Sequence, residues 1–115
     1  MMPTRTLETR KLLTRWPSGD SKPVLLLRLT PDIMAERYGL EFSRERDDLD
    51  WRDASFFIDD VLGPVVLTWY GNAPVKGMDC AVDAGVGATA AISRLIDVLG
   101  LVDDDIVWRR DAAAG

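Results

Sequence analysis

The sequence predicts a single α+β domain over residues 1–115. It should hold a mostly antiparallel sheet, a C-terminal helix packed on one face, and a short helix near the N-terminal side. Three observations carry that expectation. Residues 88–99 set Ala91, Ile92, Leu95, Ile96 and Leu99 on one stripe at helical spacing, with Arg94 and Asp97 off it. Residues 54–59 and 64–70 are rich in β-branched and aromatic side chains and meet through Asp60-Val-Leu-Gly63, a hairpin signature. Residues 78–82 alternate, with Met78, Cys80 and Val82 on one side and Asp79 and Ala81 on the other.

Taken in order, residues 4–16 fit either a helix (Leu12, Leu13, Trp16) or a strand face (Leu12, Thr14, Trp16). Pro17-Ser-Gly-Asp-Ser-Lys-Pro23 is a turn segment, and 23–29 reads as a buried strand. Thr30 is a good N-cap, Pro31 suits the first helical position, Asp32 favours the positive helix end, and Gly39 can close the helix. A short helix over 32–38 follows, offering Ile33, Met34 and Tyr38 for packing. Residues 40–43 suggest a short edge strand, while 44–53 has no clean period and reads as a solvated loop. In the first hairpin strand, adjacent Phe56 and Phe57 must face opposite sides, as must Trp69 and Tyr70 in the second. Gly71 to Gly77 is turn-rich, Gly100 is a C-cap, 106–108 adds a last strand, and residues 1–5 and 111–115 are expected to fray.

Composition narrows the chemistry. The chain has 115 residues, enough for a core without staples. It contains no histidine, which removes Ser-His-Asp and Cys-His catalysis and the usual His-containing zinc sites. Its single cysteine, Cys80, sits in the alternating strand, where an inert core thiol is expected, and one cysteine makes no internal disulfide. The longest apolar run, Val24 to Leu27, is too short to span a bilayer, and the basic N-terminus leads into no hydrophobic signal core. The expectation is a cytoplasmic protein that is not an enzyme, with no catalytic residue, cofactor, metal or membrane contact.

Two motifs invite a different reading. Gly85-Val-Gly87-Ala-Thr-Ala90 matches G-x-G-x-x-A between a strand and a helix, so Gly85 and Gly87 are the alternative, phosphate-binding site. The wider context fails, because too little chain follows for another crossover unit. A calcium loop starting at Asp48 fails as well: Arg52 and Asp53 occupy its fifth position and its glycine position.

Charge is the sharper signal. Residues 41–60 carry eight acids against three arginines, which equals the whole net charge of −5. Residues 1–30 are net +4 and are expected to pack over the protein's own acidic part. A pI near 4.6 argues against a nucleic-acid partner. Acids beside aromatics suit steering and then anchoring of a basic protein. The expected site is Asp47, Asp48, Asp50, Trp51, Asp53, Asp59 and Asp60. The expected function is an acidic protein-binding module, such as an immunity protein or antitoxin that masks a basic toxin or effector. The alternatives are a small ligand- or phosphate-binding protein or enzyme using 85–90, a secretion chaperone, and a phage or scaffold component that self-associates through a sheet edge as a homo-oligomer.

Overall fold

Six strands and two helices make up a computed structural model that describes residues 20–47, 50–71 and 76–111, with the backbone alone given at 45–47 and 50. In chain order they are β1 (Ser21–Leu27), α1 (Pro31–Tyr38), β2 (Ser43–Asp47), β3 (Asp50–Asp59), β4 (Gly63–Tyr70), β5 (Met78–Asp83), α2 (Ala88–Leu99) and β6 (Ile106–Arg109). A single 3₁₀ turn, Asp103–Asp105, leads into β6. The ambiguous segment 4–16 and the expected frayed residues 1–5 lie outside the described residues.

The strands form one sheet in the order β2-β3-β4-β5-β1-β6, and every neighbouring pair is antiparallel. β2 to β5 make a meander. β1 then inserts between β5 and β6, leaving β2 and β6 as the two edges. Cross-strand partners define the faces: Phe57, Val65 and Val82 form one row, and Leu67, Cys80 and Leu25 the next. These rows are buried together with Met34 and Tyr38 of α1 and with Ala91, Ile92, Leu95 and Leu99 of α2. Both helices therefore lie on one face of the sheet. The Tyr38 hydroxyl donates to the Leu99 carbonyl at 2.6 Å and ties them together. The result is one compact α+β domain, as the apolar spacing predicts.

Local signals explain the helices. Thr30 Oγ1 accepts from the Ile33 amide, Pro31 opens α1, and Gly39 ends it in the left-handed conformation at φ 72°. Gly100 ends α2 in the same way at φ 63°. Phe57 points into the core and Phe56 lies half-buried on the opposite face, in keeping with their adjacency. On β1 the register shifts between Pro23 and Leu25, so Val24 and Leu25 are both fully buried.

Several expected boundaries move. The expected loop 44–53 is the β2–β3 hairpin, so no separate edge strand occupies 40–43. Alternation fails as a guide there because β2 and β3 put an ion pair where core strands put apolar side chains. β1 runs over Ser21–Leu27 rather than 23–29, and β6 extends to Arg109. Asp111, expected to fray, is held by Arg109 through two hydrogen bonds of 2.6 and 3.1 Å.

Candidate partner-binding site

The hairpin divides the expected acidic surface into parts with different fates. In register, Arg44 stands opposite Asp53 and Arg46 opposite Trp51. Arg44 Nε donates to Asp53 Oδ1 at 2.9 Å and its Nη2 to Oδ2 at 3.3 Å. The same guanidinium lies 4.1 Å from the centre of the Trp51 ring, a cation–π contact. Gly71 makes room for that ring, since a Cβ there would fall 2.3 Å from Trp51 Cε2. Trp51 is thus half-buried, stacked between its own hairpin's arginine and the end of β4. Asp53 is paired internally and only 8% exposed.

Asp59 is committed just as firmly. Its carboxylate is buried and accepts from Arg94 Nε at 3.0 Å and Nη2 at 3.0 Å, and from the amides of Val61 and Leu62 at 3.0 and 2.9 Å. Burial pushes its pKa up, but the Arg94 guanidinium and the two turn amides outweigh that, leaving it below the ordinary carboxylate value. Asp59 therefore closes the β3–β4 turn and pins it to α2. Asp60 is exposed, yet it sits at the far end of the ten-residue β3 from Asp50, about 30 Å away.

At the hairpin tip Asp47 and Asp50 are direct cross-strand partners. Asp48 lies outside the described residues. Residues 45–50 carry four acids and one arginine. Like charges placed opposite each other on a strand pair repel, and the backbone register sets these two acids opposite each other.

Sequence reasoning missed a second acidic feature. Beside the hairpin, an open groove of about 610 Å³ is lined by Asp32, Glu41, Asp53 and Arg44 and by apolar Ala35, Leu40 and Phe42. Asp32 comes from the first turn of α1 and Glu41 from the connection to β2. The sequence signal was Asp32 as a helix-start acid and Glu41 two residues past the closing Gly39, which brings both ends of a short helix against the sheet. With Asp53 held by Arg44, Asp32 and Glu41 over an apolar floor fit a long cationic side chain, whose stem packs while its head pairs.

The glycine loop is differently disposed. Gly87 caps α2 without a side-chain bond, and Asp83 Oδ1 accepts from the Gly85 amide at 2.9 Å. A carboxylate thus holds one of the amides a phosphate would need. The flanking strands are antiparallel, not the parallel pair of a dinucleotide fold. Cys80 is fully buried, and burial, helped by the neighbouring Asp79, pushes its thiol pKa up, away from nucleophilic use. Burial also raises the Asp79 carboxyl to about 6. Among the described residues no three His, Cys, Asp or Glu side chains gather to hold a metal, and no helix is long and apolar enough to cross a membrane.

Fold and site together define a two-layer antiparallel α+β domain with helices on one face of the sheet and an acidic hairpin at one edge. No protein-family model matches the chain, and neither a curated protein nor a solved structure matches it.

Proposed function

We propose that this chain is an acidic protein-binding module whose hairpin tip and adjoining groove dock a basic partner, as an immunity protein or antitoxin would dock a basic toxin. The observation that carries the proposal is the direct backbone pairing of Asp47 with Asp50, within residues 45–50, a stretch of four acids and one arginine. A cationic partner relieves that repulsion, so binding gains what the free fold gives up. The groove adds a place for a lysine or arginine side chain beside Asp32 and Glu41. Asp53 and Asp59 play no direct part in this reading, because arginines of the same chain already hold them. Trp51 supports the hairpin from beneath Arg44.

The absence of histidine and the buried, high-pKa Cys80 support a binding role over catalysis. A lone cysteine fits a reducing compartment, and the cytoplasm is part of the same proposal. The test is fluorescence anisotropy with a labelled lysine-rich decapeptide. Affinity is expected to fall at least about tenfold between about 50 and 300 mM salt, and again in Asp48→Lys and Glu41→Lys. An affinity indifferent to both substitutions would refute the proposal.

A further inference from the structure

The opposite edge of the sheet has the reverse character. β6 pairs only with β1 among the described strands. Its side chains Val107 and Trp108 are 38% and 44% exposed, and Val102 just before it is 61% exposed. Among the described residues, half of the exposed large hydrophobics thus fall within seven residues of chain, two of them on an edge strand that no described element covers. An apolar open edge is a template for another strand.

The charges flanking this patch say which strand. Asp103, Asp104 and Asp105 precede it, and Arg109, Arg110 and Asp111 follow it. The centre of that pattern is Val107: Asp104 lies three residues before it and Arg110 three after, Asp105 two before and Arg109 two after. An antiparallel copy related by a two-fold axis near Val107 sets Asp104 and Asp105 of each chain towards Arg110 and Arg109 of the other, and Asp103 towards Asp111. Arg109 already holds its own Asp111 and Asp105 already pairs with Arg37, so Asp104 with Arg110 is the main new pair. The segment is self-complementary at that pair, as an isologous contact requires. Asp103, Asp104 and Arg110 are exposed; Arg110 Nε donates to the Pro23 carbonyl at 2.7 Å and its guanidinium sits 5.7 Å from the Trp108 ring centre, so charge and apolar surface lie side by side.

We propose that β6 is a homodimer interface: two copies associate antiparallel, edge to edge, around Val107 and Trp108, with Asp104 of each chain facing Arg110 of the other. The inference is independent of the acidic hairpin, which lies at the other edge. The register shift at Val107 keeps any shared hydrogen-bond ladder short. Side chains therefore carry the contact, and the dimer is weak, with Kd on the order of 10 μM or above.

Sedimentation velocity on the full chain, from about 5 to 500 μM at low salt, is the test. The mass should climb from the 12.8 kDa of one chain towards twice that value. Asp104→Arg and Arg110→Asp should each weaken the dimer by about tenfold or more, since each sets like charges across the axis. Mixed one to one, the two variants should associate with each other nearly as well as wild type, because each supplies the charge the other lacks. A monomer at every concentration would overturn the proposal, as would single variants that dimerise normally or a mixture that fails to recover. Circular dichroism of each variant confirms that both are folded. Asp48→Lys should leave the dimer unchanged while weakening the decapeptide, which separates this interface from the proposed docking site.

Discussion

At one edge of the sheet β2 reads Ser-Arg-Glu-Arg-Asp, and at the other β6 reads Ile-Val-Trp-Arg. Both strands are short, and each has one hydrogen-bonded neighbour. β2 is guarded by its own charges, and one of them, Arg44, reaches back over the sheet to satisfy Asp53 and cover Trp51. β6 keeps apolar side chains in water and places charge only at its ends. A charged edge repels indiscriminate strand pairing, whereas an apolar edge with charges at both ends selects for a particular partner. One sheet can thus hold two surfaces with separate chemistry. The comparison also predicts where mutations register: as lost stability in the half of the sheet around β3, and as lost association at β6.

The largest expected loss is at the turn end of β3. Asp59→Ala removes the acceptor for two turn amides and leaves Arg94 without its partner. A cost of about 2–3 kcal/mol should appear in urea denaturation, with no change in self-association. The sign with pH is fixed by the lowered pKa. Stability contributed by ionised Asp59 is complete above the ordinary carboxylate value of 3.8 and drains away as pH falls through its lower folded value. The variant should lack that acid-limb decline. An acid limb identical to wild type would show that the turn is held by other contacts.

Next comes the support of the charged edge itself. Gly71→Ala drives a methyl group into the Trp51 ring, which must leave its place under Arg44. Overpacking of this kind costs about 1–3 kcal/mol. A melting temperature equal to that of wild type would mean that the stack contributes nothing to the hairpin.

These contacts also mark how far the sequence could be read. Helix caps at Thr30, Gly39 and Gly100, the α2 stripe and the 78–82 alternation are local signals, and each locates its element. The β2–β3 hairpin escaped because its inward positions mix Arg44, Asp53 and Ser55 with the apolar Trp51, so no period of two survives in hydropathy. The acidic excess was legible, but its division was not. Arg94 lies 35 residues from Asp59, and nothing local announces that the two will meet. The groove needs residues from α1, the following connection and β3, so it exists only after folding. The β6 edge was legible in principle: an apolar run bracketed by three acids and two arginines is visible in the chain, although its exposure is not.

Between the two edges, Asp79 of β5 tests the middle of the sheet. It stands opposite Thr68 and Leu26 on the face away from the helices. Burial raises its pKa to about 6, above the ordinary 3.8, so the folded state favours the protonated acid. Its contribution is therefore favourable at low pH, and stability falls as pH rises from about 4 through 6. Asp79→Asn should remove that slope and raise stability at pH 7 by about 1 kcal/mol, less than the full shift implies because the carboxylate keeps some solvent contact. Thermal melts at pH 4 and pH 7 suffice. A variant no more stable than wild type at pH 7 would indicate that Asp79 stays ionised at little cost.

The smallest change in stability should accompany the largest change in association. Val107→Lys gives β6 the kind of charge that β2 already carries, in the centre of the proposed interface. Val107 is 38% exposed and sits where the β1–β6 register shifts, so replacing it removes little buried surface. Unfolding free energy should move by no more than about 0.5 kcal/mol, the ordinary range for a surface substitution. Two lysines brought together at the two-fold axis, however, repel at the point of closest approach, and the chain should sediment as a monomer at all concentrations. If stability falls sharply instead, β6 owes its apolar side chains to the fold, and the difference between the two edges is one of packing. If both quantities stay constant, self-association runs through another surface, and the exposed β6 edge is not the counterpart of the acidic one.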